Sequence, residues 1–164
     1  MNEYDEAGNK TGKTIGMHDV SANWRMSFTI GKRFTLQPMV YGRLLFGNSI
    51  PHFFGNTIGG DWFGHYVDQQ MPFAGISNIE FIKKQFVAAQ LQAQERIGNN
   101  HYVLLRLVGG LQAEKVKELF DNRVLFGVQA AYFYNTIFGP LGATIGYSNH
   151  TKKPSFFINL GYEF

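Results

Sequence analysis

The chain contains no cysteine, which removes disulfide frameworks and thiolate metal sites from consideration. Charge is sparse: Asp, Glu, Lys and Arg together make up 16% of the residues. The 15 Lys and Arg leave a net charge of +3, but they are scattered. No basic stripe therefore marks a nucleic-acid surface. No apolar run reaches the ~18 residues that a membrane-spanning helix needs. The opening residues, MNEYDEAGNK, are polar and mixed in charge, so they cannot serve as a signal peptide. If exported, the chain is thus expected to be a mature or C-terminal piece of something longer. The five His are dispersed, with no His-x-x-x-His pair to hold a metal. A hydrolase's Gly-x-Ser-x-Gly elbow is also missing. Its nearest counterparts, Gly75-Ile76-Ser77 and Gly146-Tyr147-Ser148, lack the second glycine. Ser148 and His150 are close in sequence, but a polar loop is the simpler reading of that stretch. No catalytic residue, cofactor or metal site is expected.

Glycine and aromatic residues are plentiful instead, at 19 residues and 16%. With so little charge, this composition suits an all-β chain. From Asn23 onward the period is two. Trp24, Met26, Phe28 and Ile30 alternate with Asn23, Arg25, Ser27 and Thr29. Phe34, Leu36, Val40, Leu44 and Phe46 alternate with Thr35, Gln37, Tyr41 and Arg43. The alternation fails over 48–77, a long Gly- and aromatic-rich loop, and returns from Ile79 to Arg96 as one uninterrupted strand. Four more strands follow, ending at Phe164. The expected organisation is a polar segment or loop at 1–22 and a β-domain at 23–164. About seven strands of roughly ten residues are long for a soluble domain and suit tilted membrane strands.

Periodicity does not say which face is inside, but the polar parity does. It carries Gln90, Gln92, Gln94, Gln129, Asn159 and several glycines rather than Lys and Glu. Small, uncharged groups suit a crowded lumen better than bulk water. Lys and Glu collect between strands, and Tyr132, Tyr134, Tyr147, Phe156 and Tyr162 gather near strand ends, as in an interfacial aromatic belt. The apolar parity is therefore expected to face outer-membrane lipid. Arg25, Arg43, Arg106 and Arg123 share the lumen parity and are expected to line it. Glu80, Glu95 and Arg96 are candidates to pair with Arg106 or Arg123. Short connections at 32–33, 98–100 and 135–137 fall on one side of the sheet. The long ones at 48–77, 114–122 and 149–153 fall on the other, the pattern of periplasmic turns and extracellular loops.

Two stretches, NTIGGDWFGHYVDQQMPFAG and FGPLGATIGYSNHTKKPSFFINLGYEF, give the chain a family resemblance. It resembles the C-terminal outer-membrane barrel domain of bacterial patatin-like phospholipase family proteins, of the BamA and surface-antigen superfamily. The similarity runs from about Trp24 to the end. It implies an antiparallel transmembrane β-barrel segment of about seven or eight strands, the C-terminal part of a sixteen-stranded barrel. It also implies location in the Gram-negative outer membrane and assembly by the barrel-assembly machinery. The domain's implied role is to anchor, and to translocate or display, an upstream hydrolase domain. In that superfamily a long extracellular loop before the last five strands folds into the lumen with an Arg-Gly-aromatic motif. The matching residues here are Gly59, Gly60 and Asp61, then Phe63, Gly64, His65 and Tyr66, though no Arg precedes Gly64. Gly59-Gly60 reads as a tight bend rather than a phosphate cradle, since no helix follows. Tyr162 and Phe164 resemble the C-terminal assembly signal. A small complete porin-like or structural barrel and a soluble lipid-binding β-barrel are the alternatives.

Overall fold

The computed structural model describes residues 2–4, 10–14, 16–47, 50, 52–60, 69–137 and 139–160. Among the described residues thirteen strands run in chain order. β1 (Asn2–Tyr4) and β2 (Lys10–Thr14) pair with each other. β3 (Met17–Arg25), β4 (Phe28–Ile30) and β5 (Phe34–Gly47) begin the main sheet. Then come three short strands, β6 (Thr57–Gly59), β7 (Gln70–Met71) and β8 (Ile79–Phe81). β9 (Gln85–Ile97), β10 (His101–Ala113), β11 (Leu125–Thr136), β12 (Gly139–Ser148) and β13 (Pro154–Leu160) complete it.

The main sheet has the order β13-β12-β11-β10-β9-β5-β3, with β4 pairing β5 as a continuation of β3. All its neighbours are antiparallel. It is open, with β3 and β13 as its edges among the described residues. β5, β9 and β10 are 13 or 14 residues long, enough at ~3.3 Å per residue to cross a hydrocarbon layer at a tilt. No described helix is long and apolar enough to cross a membrane.

The orientation of the faces follows from burial. Phe126, Ile145 and Ile158 are 46%, 58% and 53% exposed, whereas Gln129 is 5% exposed. Leu105 and Leu107 likewise point out, and Gln90 points in. A water-soluble sandwich would bury the first group, so the soluble lipid-binding alternative fails here. Along the short-turn rim, His101 stacks with Tyr132 and lies 4.8 Å from Tyr134, ring to ring. Those rings sit on the outward parity, as an interfacial girdle requires.

Two sequence boundaries need correction. The first strand of the main sheet begins at Met17, inside the segment assigned to a polar loop at 1–22, and β1 and β2 also lie there. Val20, Ala22 and Trp24 nevertheless alternate with Asp19, Ser21 and Asn23, and they pair in register with β5. The long strand expected over Ile79 to Arg96 is in fact two. β8 pairs with β6, and only from Gln85 does the chain join β5 and β10. The irregular connection therefore runs over 48–84 rather than 48–77, and five main-sheet strands follow it.

Candidate functional site

The connection between β5 and β9 folds back onto the inward face of the sheet as a plug. Its strands β7, β6 and β8 form a separate three-stranded sheet. Ile58, Met71, Phe73, Ala74 and Ile76 from the plug pack against Met39, Tyr41, Phe86, Ala88, Val108 and Leu125 of the wall in one buried cluster. Phe86 lies at its centre, 6.3 Å from both the Tyr41 and Phe73 rings. Burying a side chain the size of Phe73 or Ile76 contributes roughly 1.5–3 kcal/mol. The apolar residues that interrupted the strand pattern are thus the ones that fill the lumen's long-loop half.

The wall makes room by being flat. A Cβ on Gly127 would overlap the Ala74 carbonyl oxygen, and one on Gly146 would come within 2.7 Å of the Gly75 Cα. Gly75 itself has φ +78° and lies so close to the Tyr147 backbone that a side chain there would overlap it. Only glycine fits both the backbone and the contact. The Tyr41 hydroxyl donates to the Pro72 carbonyl, fixing the plug from the β5 side.

Fully buried Asn56 clamps the two feet of the plug. Its amide donates to the carbonyls of Arg43, Lys83 and Lys84 at 3.2, 3.1 and 2.8 Å. Its oxygen accepts from Arg43 Nη1 at 3.3 Å. Arg43 also reaches Asp19 of β3, Nε to Oδ2, at 3.1 Å. One side chain thereby links the edge strand, the wall and the plug.

Beneath the plug a belt of polar side chains crosses the sheet at one level. Gln37, Gln92, Arg106 and Gln129 are successive cross-strand partners on β5, β9, β10 and β11. Arg106 donates to Gln92 Oε1 through Nε and Nη2, and to Gln129 Oε1 through Nη1 at 2.8 Å. Gln92 donates to Gln37 at 3.3 Å, and Gln37 to Ser27 at 2.8 Å. Amide oxygens solvate the guanidinium without neutralising it.

Of the arginines expected in the lumen, Arg43 and Arg106 lie on the sheet face that carries the plug, and Arg25 borders the cleft between wall and plug. Arg123 has the inward parity but precedes β11 in an exposed loop, so its place in a strand is corrected. The carboxylates proposed as partners are not those of Arg106: Glu80 sits on β8, and Glu95 opposes Val103 and Phe34 on the outward parity. Gly59 and Gly60 have φ of +88° and +92°, and the Gly60 N–H donates to the Ile76 and Asn78 carbonyls. They form a bend inside the plug. Asp61, Phe63, Gly64, His65, Tyr66, Tyr162 and Phe164 lie outside the described residues. Ser148 is fully buried, and its hydroxyl oxygen accepts the His150 backbone N–H at 3.1 Å. That is a turn, not a nucleophile beside a base. Sequence reasoning missed Asn56, Gly75 and Phe86. The signal that marks the docking surface is the row of small inward residues Ala88, Gly110, Gly127 and Gly146.

An apolar exterior, an amide-lined interior and an inward-folded plug before five terminal strands together describe a plugged membrane barrel wall. A family model described as the OMP85 superfamily matches residues 8–164. The chain belongs to the OMP85 superfamily. Comparison with curated proteins gave no significant match. As an OMP85 chain it is an outer-membrane β-barrel segment, and its outward face is the lipid-facing one. Membership also places it in a membrane and barrel-assembly context.

Proposed function

We propose that this chain is the plug-bearing wall of a larger outer-membrane barrel that anchors an attached patatin-like hydrolase domain and translocates or displays it. The barrel domain is assigned to 23–164 extended back to Met17, with the 48–84 connection entering from the extracellular side. The reading rests on one observation: the apolar parity is exposed, while the opposite face carries the chain's own plug and the Gln37–Gln92–Arg106–Gln129 belt. The open edges support completion by further strands, since unpaired backbone groups in hydrocarbon cost several kcal/mol each. Sixteen strands in all, an attached hydrolase and delivery by the barrel-assembly machinery are what the family resemblance adds.

The lumen's chemistry is structural. Arg106, the glutamines and Asn56 hold strands and plug rather than positioning a nucleophile. Catalysis is therefore assigned to the attached domain. Two measurements test the reading. The intact protein should resist alkaline extraction from outer membranes and show heat-modifiable electrophoretic migration. Recovery in the soluble fraction would contradict the barrel. A fluorophosphonate probe should label the polypeptide that bears this sequence. An unlabelled polypeptide in active membranes would remove the hydrolase.

A further inference from the structure

At Gly75 the plug lies against Gly146 and Tyr147 with no room for a Cβ. Beyond that contact, toward the long-connection end, plug and wall part. A pocket of about 460 Å³ opens there, with Ser77 and Glu80 of the plug on one side. Thr151 and Lys153 of the β12–β13 connection and Ser155 of β13 line the other. The volume falls among those of small-molecule sites, ~300–1,000 Å³.

The lining is polar and its groups are unsatisfied. Glu80 and Lys153 carry opposite charges, yet among the described residues neither enters an ion pair. The Thr151 hydroxyl oxygen is buried without a hydrogen-bond partner. Buried polar groups in folded proteins almost always have one, so a group left open beside a pocket points to a polar occupant. The turn that carries Lys153 is tightly closed. The Lys152 N–H donates to the Ser148 carbonyl at 2.9 Å, and the His150 N–H donates to the Ser148 hydroxyl oxygen at 3.1 Å. Lys152 has φ +55°, the one positive value outside glycine among the described residues. Such backbone positions persist only where the surroundings hold them, and ligand clamps are among those places.

We propose that this pocket binds a small zwitterion, a free amino acid or short peptide, between plug and wall. Its ammonium meets Glu80, its carboxylate meets Lys153, and the hydroxyls of Ser77, Thr151 and Ser155 take its amide groups. A ligand with a single charge satisfies one side and leaves the other unpaired, so it is disfavoured. Because the occupant touches both plug and wall, its binding also strengthens the hold on the plug. The inference goes beyond the anchoring role and uses only the placement of the plug against β12 and β13.

The test is calorimetric titration of the intact, detergent-solubilised protein with glycine, diglycine and triglycine. The N-acetylated and C-amidated forms of each serve as singly charged counterparts. At least one unblocked ligand should bind. Blocking either end should weaken it roughly 3- to 10-fold, a modest factor because both protein charges stay partly exposed. Glu80→Gln should lower affinity for the unblocked ligand by a similar factor and leave the acetylated form unchanged. Lys153→Met should do the same while sparing the amidated form. Saturating ligand should also slow limited proteolysis of the plug. The comparison of blocked with unblocked ligands needs no variant, so it holds even where a substitution prevents assembly. Heat-modifiable migration reports on the barrel separately, so the two readings can fail independently. Binding of none of the ligands, or equal binding of blocked and unblocked forms, overturns the site.

Discussion

The two ends of the sheet treat the same plug differently. On the β9–β12 side, glycines let backbone meet backbone, and the contact excludes solvent. On the β3–β5 side, polar contact with the plug is made by long side chains: Tyr41 to Pro72, and Arg43 to Asn56. Close packing is unforgiving of added volume, whereas side-chain bridges across a wet cleft lose only their own hydrogen bonds. Tight fit on one side and tethering on the other let a plug be firmly held while leaving space beside it.

That contrast orders the effect of substitutions. Gly75→Val should be the most damaging, since it adds strain at a left-handed residue to overlap with Tyr147. Destabilisation of roughly 3–5 kcal/mol is expected, read as a shift in the urea midpoint of heat-modifiable migration. Asn56→Ala comes next. It removes a donor from the Arg43, Lys83 and Lys84 carbonyls, of which Lys84 keeps the Leu45 N–H, and an acceptor from Arg43; the cost is about 2–3 kcal/mol, and the plug should become open to limited proteolysis without unfolding of the sheet. Arg106→Leu removes three charge-assisted hydrogen bonds to the amide oxygens of Gln92 and Gln129, for about 1–3 kcal/mol in the same urea series. Asp19→Asn should matter least, at ~0.5 kcal/mol, because its carboxylate is half exposed beside the cleft. A result in which Asp19→Asn outweighs Gly75→Val would reverse the comparison between the two sides.

Much of this arrangement was legible in the sequence because a strand's parity is a local property. Gln92 opposite Leu91, or Gln129 opposite Val128, sorts inside from outside without any knowledge of neighbours. The long connection also announced itself where alternation broke. The partners were not legible. Arg106 was matched with carboxylates because opposite charges attract, yet register places Gln92 and Gln129 beside it, and register depends on pairing that periodicity leaves open. The division of the Ile79–Arg96 stretch was hidden for the same reason. Ile79 and Phe81 keep the two-residue beat, but their partners are Gly59 and Thr57 within the plug. Asn56 carries no sequence signature at all, since its role arises only when residues 43 and 83–84 meet around it. Arg123 shows the opposite limit: its parity was right, but the strand starts two residues later.

Underneath the plug and the belt lies the outward direction of the apolar parity, and nitroxide labels introduced through single cysteines measure it. Labels at Leu105, Phe126, Ile145 and Ile158 of the membrane-embedded protein should collide freely with oxygen and be shielded from a water-soluble nickel chelate. Labels at Gln92 and Gln129 should be shielded from oxygen in the lipid. Lipid-accessible labels at Gln92 and Gln129, with Ile145 and Ile158 protected, would contradict the account.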